Sequence, residues 1–202
     1  MKILCVGRNY AEHAKELKND IPDKPLIFMK PASAMLKDDK DFYLPEFSKD
    51  VHYEVELVVK ISKNGKHIAK RFAKDYYQEI SVGIDVTARD LQAELKSKGH
   101  PWEIAKAFDS SAILGKFLNK NSYDLANLSF SLKKNTEVVQ QGNTKDMLFE
   151  IDDIIAYVSQ FFRLQMGDLI YTGTPAGVGK MNIGDNFEGF IKEKKLFHTE
   201  IK

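Results

Sequence analysis

The chain has 202 residues, 43% hydrophobic and 29% charged, with a formal net charge of +1. That length suits one well-cored domain, and the near balance of charge leaves no electrostatic footprint for nucleic acid and no acidic tail. The lone Cys5 excludes an internal disulfide framework, no segment approaches transmembrane length, and the first apolar stretch is too short for a signal peptide, so the cytoplasm is the expected location.

Residues 2–6 read as a short strand, in which Cys5 is expected to be a small buried hydrophobe rather than a nucleophile. Asn9 is placed to cap a helix from Tyr10 to Leu17, with Glu12 completing a capping box. Residues 18–40 carry Pro22, Pro25 and Pro31 and read as extended loop around a short strand at 26–29. Strands are expected at Val51–Ile61 and Ile80–Val86, with a short turn or helix at Lys74–Gln78 between them. Thr87 is expected to cap a helix over 88–98, which carries Asp90 in its first turn and stops at Gly99 and Pro101. Further strands are expected at 130–133, 137–141 and 168–172. Ile151–Phe162 has the spacing of an amphipathic helix, capped by Asp152 or a residue just before it. GTPAGVG, 173–179, makes a glycine-rich turn, and 186–200 alternates like an edge hairpin turning at Glu193-Lys194-Lys195. Strands outnumber helices and do not alternate regularly with them. This argues for a β-rich α+β domain and against a doubly wound sheet.

The segment VHYEVELVVKI, 51–61, places Glu54 and Glu56 two residues apart, on one face of a strand together with His52. Two like charges side by side are either solvated or separated by a cation. Asp85, at the end of the next apolar run, brings a third carboxylate. Three carboxylates at strand ends suit a hard divalent cation, Mg²⁺ or Mn²⁺, better than zinc, because no thiolate and no second histidine stand at ligand spacing.

Other constellations admit two readings each. His13 and Glu16, i and i+3 on the first helix, are either an imidazole oriented as a general base or part of a charged, solvated face. Asp85, Arg89 and Gln92 follow one face across the strand-to-helix corner. The Asp–Arg pair is a local salt bridge, or Arg89 is a carboxylate receptor. Lys106, between Ala105 and Ala107, is a surface lysine or a desolvated cation aimed at an enolate. The 173–179 turn lacks the GK[ST] ending of a nucleotide loop, but its amides and the Thr174 hydroxyl can face an anion. His52 is a candidate neighbour of the carboxylates, and His67, His100 and His198 carry no assigned role.

Six motifs in order, VGRNYAEHAKEL (6–17), LIFMKPASA (26–34), HYEVEL (52–57), GIDVTARDLQ (83–92), GHPWEIAKAFD (99–109) and GDLIYTGTPAGVG (167–179), resemble the fumarylacetoacetate hydrolase family, in its short single-domain acylpyruvase branch. The resemblance runs nearly end to end. It implies a mixed β-sandwich roll, usually a homodimer, with magnesium (or manganese) on Glu54, Glu56 and Asp85. It implies a lid dyad of His13 and Glu16, and substrate contacts from Arg89, Gln92, Lys106 and Thr174. The implied activity is C–C cleavage of acylpyruvates or decarboxylation of oxaloacetate through a pyruvate enolate, with tautomerisation of oxaloacetate as a related outcome. Isomerisation or decarboxylation of hydroxylated dienedioates, such as 2-hydroxyhepta-2,4-diene-1,7-dioate, uses the same chemistry. A non-catalytic metal-binding module is the reading from a different class, and an intact His13–Glu16 pair with Lys106 argues against it.

Overall fold

Short apolar runs bounded by glycine, proline and aspartate become strands, and the strands pair into three sheets. The computed structural model describes residues 1–16 and 20–202, so Leu17, in the expected first helix, and residues 18–19 of the expected loop lie outside the described residues. The largest sheet runs Leu26–Lys30, Ile3–Gly7, Leu169–Tyr171, Val55–Ile61, Tyr77–Asp85, Ala112–Leu114, Met35–Leu36, with Leu118–Asn119 added beside Tyr77–Asp85. It is mixed: Ile3–Gly7 lies parallel to Leu169–Tyr171, and Met35–Leu36 parallel to Ala112–Leu114. The second sheet is antiparallel, in the order Glu137–Asn143, Ser129–Lys134, Asn186–Ile191, Lys194–Glu200. A small third sheet joins Gly179–Lys180, Val51–Tyr53 and Thr87–Ala88.

The main core lies between the two large sheets. Leu4, Leu57, Val59, Val82 and Ile84 from one meet Phe130, Leu132, Phe187 and Ile191 from the other. A smaller core lies on the far face of the first sheet, around Ile3, Cys5, Val58, Leu114 and Tyr171. Val55–Ile61 is therefore buried on both faces, which explains its nearly unbroken apolar sequence. The helix Ile151–Phe161 inserts Ile151, Ile154, Ile155 and Val158 into the main core at helical spacing. No described helix is long and apolar enough to cross a membrane.

Several local expectations are refined or corrected. Val51–Ile61 is not one strand: it breaks at Glu54, between Val51–Tyr53 in the small sheet and Val55–Ile61 in the large one. Asn9 does not cap the helix Ala11–Glu16. Its amide nitrogen donates to the carbonyls of Phe149 (3.0 Å) and Thr172 (2.7 Å), and its Oδ1 accepts from the Phe149 amide (2.8 Å). Thr87 is a strand residue; the helix Arg89–Ser97 starts after Ala88 with no side-chain cap. For the helix at 151, of the two expected caps it is a residue just before Asp152 and not Asp152 itself that stands at the start: the N-cap is Glu150, again without a side-chain bond. The hairpin turns at Lys192-Glu193, one position earlier than expected, with Lys192 in the left-handed region at φ 52°.

Candidate active site

Glu54 sits at the corner where the chain leaves one sheet for another, and Glu56 follows on the first turn of the pleat. Asp85 ends the neighbouring strand, whose Gly83 pairs with Glu56. The break and the register bring the three carboxylates together: one oxygen from each lies within 4.8 Å of the others, and all three residues are buried. They form the floor of a pocket also lined by His13, Arg89, Gln92, Lys106 and Thr174.

Such a cluster survives only where charge is compensated. Lys106, 3% exposed, donates to Glu54 Oε2 at 2.8 Å, Asp85 Oδ2 at 2.7 Å and Thr87 Oγ1 at 2.6 Å. It is the desolvated cation, not the surface lysine. Burial would lower its ammonium pKa, but Asp85 and Glu54 reverse that and raise it, so it stays charged. Arg89 pairs with Glu54 and donates to Gln92 Oε1 at 2.8 Å. The local Asp85–Arg89 bridge is thus not the arrangement found. For Glu54 burial pushes the carboxyl up, yet Lys106 and Arg89 together hold it well below the usual carboxylate range. Glu56 goes the other way: burial and the Asp85 charge raise it well above that range, against the single amide of Gly173 that donates to it at 2.7 Å.

The donor set fits a divalent cation. Glu56 is crowded by two carboxylates, and the buried Asp85 Oδ1 accepts no hydrogen bond, although Lys30 Nζ lies 2.7 Å away as a charge contact of poor hydrogen-bond angle. An all-oxygen trio with open positions selects Mg²⁺ or Mn²⁺.

The His13–Glu16 pair is present as spaced in the sequence. His13 is 4% exposed, and its Nδ1 stands 3.2 Å from Glu16 Oε2. Glu16 in turn accepts from the Gly177 amide at 3.1 Å, tying the short helix to the glycine turn. The amides of that turn do face anions, and the anions are the protein's own: Gly173 faces Glu56 and Gly177 faces Glu16. Thr174, 3% exposed, accepts from Gln140 Nε2 at 2.9 Å. His52 turns to Asp50, 3.0 Å away, and burial together with Arg89 lowers its pKa.

Two contributors escaped the sequence reading. Lys30, 1% exposed, reaches Asp85 from an edge strand and also donates to the carbonyls of Val86, Lys106 and Ser111. Gln140 crosses from the second sheet, holding Thr174 and accepting from the Val55 amide at 2.8 Å. The available signal for Lys30 was its place in the KPASA motif. For Gln140 it was a polar residue opposite Leu132, on a side of its strand that faces inward.

Gly173 is needed for its backbone. At φ +102° it is strained for any L side chain, and a Cβ there would stand 2.5 Å from Asn9 Cβ. Gly173→Ala is expected to lower the melting temperature by roughly 5 °C or more, from a strain of about 1–3 kcal/mol plus the clash. It should also weaken Mn²⁺ binding by displacing the amide on Glu56. A melting curve and a metal titration measure both, and a melting temperature within 1 °C of the parent would contradict the geometry.

Residues 2–202 match the fumarylacetoacetate (FAA) hydrolase C-terminal family. The chain belongs to that family. It is 42% identical over 190 residues to the mitochondrial oxaloacetate tautomerase of Mus musculus, covering 94% of this chain and 86% of that one. It is 40% identical over 185 residues to the mitochondrial oxaloacetate decarboxylase of Dictyostelium discoideum, covering 91% and 85%. Among solved structures it is similar to the fumarylpyruvate hydrolase of Pseudomonas aeruginosa in complex with Mn²⁺ and pyruvate, with a TM-score of 0.94, 35% identity, and coverage of 100% of this chain and 89% of that one. The β-rich mixed-sheet fold is thus that of fumarylacetoacetate hydrolase family structures.

Proposed function

We propose that this fumarylacetoacetate hydrolase family member is a divalent-metal-dependent enzyme of small β-keto 2-oxoacids, which forms a pyruvate enolate from oxaloacetate by decarboxylation and from acylpyruvates by hydrolysis, and also tautomerises oxaloacetate. The observation that carries it is Lys106: a buried ammonium held charged against two of three clustered carboxylates, beside Arg89 and His13. A pure metal-binding module has no use for that ammonium. The oxaloacetate activities of the two relatives and the pyruvate and Mn²⁺ in the solved structure support the same reading.

Glu54, Glu56 and Asp85 would hold the cation, which supplies Lewis-acid stabilisation of negative charge on the substrate oxygens. Arg89, Gln92 and Thr174 position the C1 carboxylate. Lys106 donates a hydrogen bond where charge builds on the C2 oxygen. In hydrolysis, His13 takes a proton from water, its Nδ1 oriented by Glu16 so that Nε2 is the nitrogen free to act. The hydroxide attacks C4, the C3–C4 bond breaks, the acyl group leaves as a carboxylic acid, and the enolate takes a proton at C3. In decarboxylation the same bond breaks with loss of CO₂, and no water is activated.

Pyruvate release from acetylpyruvate and from oxaloacetate, with Mg²⁺ and with EDTA, tests the proposal. Metal-dependent release is expected; release that survives EDTA, or none from either substrate, would sink it. His13→Ala should lower acylpyruvate hydrolysis by about 10²-fold or more while lowering decarboxylation far less. Equal losses in a steady-state assay would show that His13 orders the helix and does not activate water. The homodimer is part of the same proposal, and light scattering of the purified protein measures it.

A further inference from the structure

We propose that Gln140 is a positioning residue that fixes the Thr174 hydroxyl as a hydrogen-bond donor toward the substrate head. The inference rests on the function proposed above and adds to it a side chain that does not itself line the pocket.

Gln140 is 2% exposed and belongs to the outer strand of the second sheet, Glu137–Asn143. The glycine turn lies directly against that strand: a Cβ at Gly177 would stand 2.7 Å from the Val139 carbonyl oxygen and 3.3 Å from Gln140 Cγ. The Gln140 amide thereby reaches a place where two backbones part. Leu169–Tyr171 pairs with Val58–Lys60, and the ladder ends at the 3.1 Å bond from the Thr172 amide to the Leu57 carbonyl. Gly173, at φ +102°, then takes the chain out of the ladder. Gln140 bridges the gap as a peptide unit would. Its Oε1 accepts from the Val55 amide at 2.8 Å, and its Nε2 donates to the Pro175 carbonyl at 3.0 Å. A buried backbone amide and a buried carbonyl each need such a partner.

These two bonds settle which end of the side-chain amide is which, because the Val55 amide only donates and the Pro175 carbonyl only accepts. Nε2 has a second hydrogen, and Thr174 Oγ1, 2.9 Å away, receives it. The Thr174 oxygen is thus an acceptor from Gln140, and its single proton has two places to go. One is the Pro175 oxygen, 3.5 Å away and already served by Gln140. The other is the pocket that Thr174 lines, where an anionic oxygen of a 2-oxoacid takes the proton in a charge-assisted hydrogen bond. Without Gln140, the Pro175 oxygen loses its donor and competes for that proton, so the hydroxyl turns away from the substrate.

Binding of pyruvate, which carries the head and no acyl tail, tests this by calorimetry at saturating Mg²⁺. Thr174→Val is expected to raise the dissociation constant about tenfold or more, the loss of a hydrogen bond to a charged group. Gln140→Met should raise it about fivefold or more, and should also melt lower because the Val55 amide is left unpaired. The double variant decides the role. In the Thr174→Val background, Gln140→Met should change the constant by less than about twofold, since the hydroxyl through which Gln140 acts is gone. An unchanged constant in Gln140→Met, or the same loss in both backgrounds, overturns the positioning role and leaves Gln140 a structural tie. Should Gln140→Met fail to fold, Gln140→Glu enters the same cycle: it keeps the acceptor for Val55 and lacks one or both amide hydrogens, and the same outcomes decide. Failure of the proposed function is read elsewhere, in a parent that turns over neither oxaloacetate nor acetylpyruvate. A parent that binds no pyruvate overturns both.

Discussion

Glu56→Gln should lose turnover of every substrate by about three orders of magnitude or more, because the metal supplies several kcal/mol of transition-state stabilisation. It should do so without unfolding the protein. In the absence of metal, Glu56 is the carboxyl that burial and Asp85 push toward protonation, and a glutamine keeps an oxygen for the Gly173 amide. Its metal-free melting temperature is therefore expected at or above the parent's. Asp85→Asn should be equally inactive and much less stable. Asp85 faces both Lys106 and Lys30, and removing one partner of a buried ion pair costs about 3–5 kcal/mol, on the order of 10 °C in melting temperature for a chain of this size. Calorimetric Mn²⁺ titration and paired melting curves separate the two variants. Retained Mn²⁺ binding in Glu56→Gln would remove Glu56 from the ligand set.

Lys106→Met is expected to lower kcat by about 10²–10³-fold for both oxaloacetate and acetylpyruvate, the loss of one oxyanion donor of about 3–4 kcal/mol. The loss should be common to both substrates because both pass through the same enolate. The variant also has a stability signature. Glu54 and Asp85 lose their shared ammonium, so the metal-free protein should melt lower than the parent, and added Mn²⁺ should raise its melting temperature by more. A rate within error of the parent would reduce Lys106 to a structural counter-ion. An intact rate with a lowered melting temperature would say the same more firmly.

The parts of the site legible in the sequence are those that local spacing or motif encodes. Glu54 and Glu56 at i and i+2, Asp85 at a strand end, and His13 with Glu16 on one helical turn are found together as spaced. Lys30 and Gln140 were not legible because they reach the site across sheet pairings, from segments whose own patterns are ordinary edge strands. The strand break at Glu54 was hidden for a related reason. Alternation continues through it, and only the change of partner strand, from Gly179–Lys180 to Leu169–Tyr171, makes it a corner. The caps assigned to Asn9 and Thr87 failed because tertiary partners claimed side chains that a helix start would otherwise use.

The parallel pairing of Ile3–Gly7 with Leu169–Tyr171 has a consequence for how the protein acquires its activity. The Lys2 amide donates to Asp168, 166 positions away, and Asn9 is held by Phe149 and Thr172. During synthesis on the ribosome, Ile3–Gly7 can pair early with Leu26–Lys30, but its other neighbour, Leu169–Tyr171, follows only 166 positions later. Such high contact order places folding in the slow, millisecond-to-second regime rather than the microsecond one. A nascent chain halted before residue 168 would carry Glu54, Glu56, Asp85 and Lys106 but could not seat the imidazole over them.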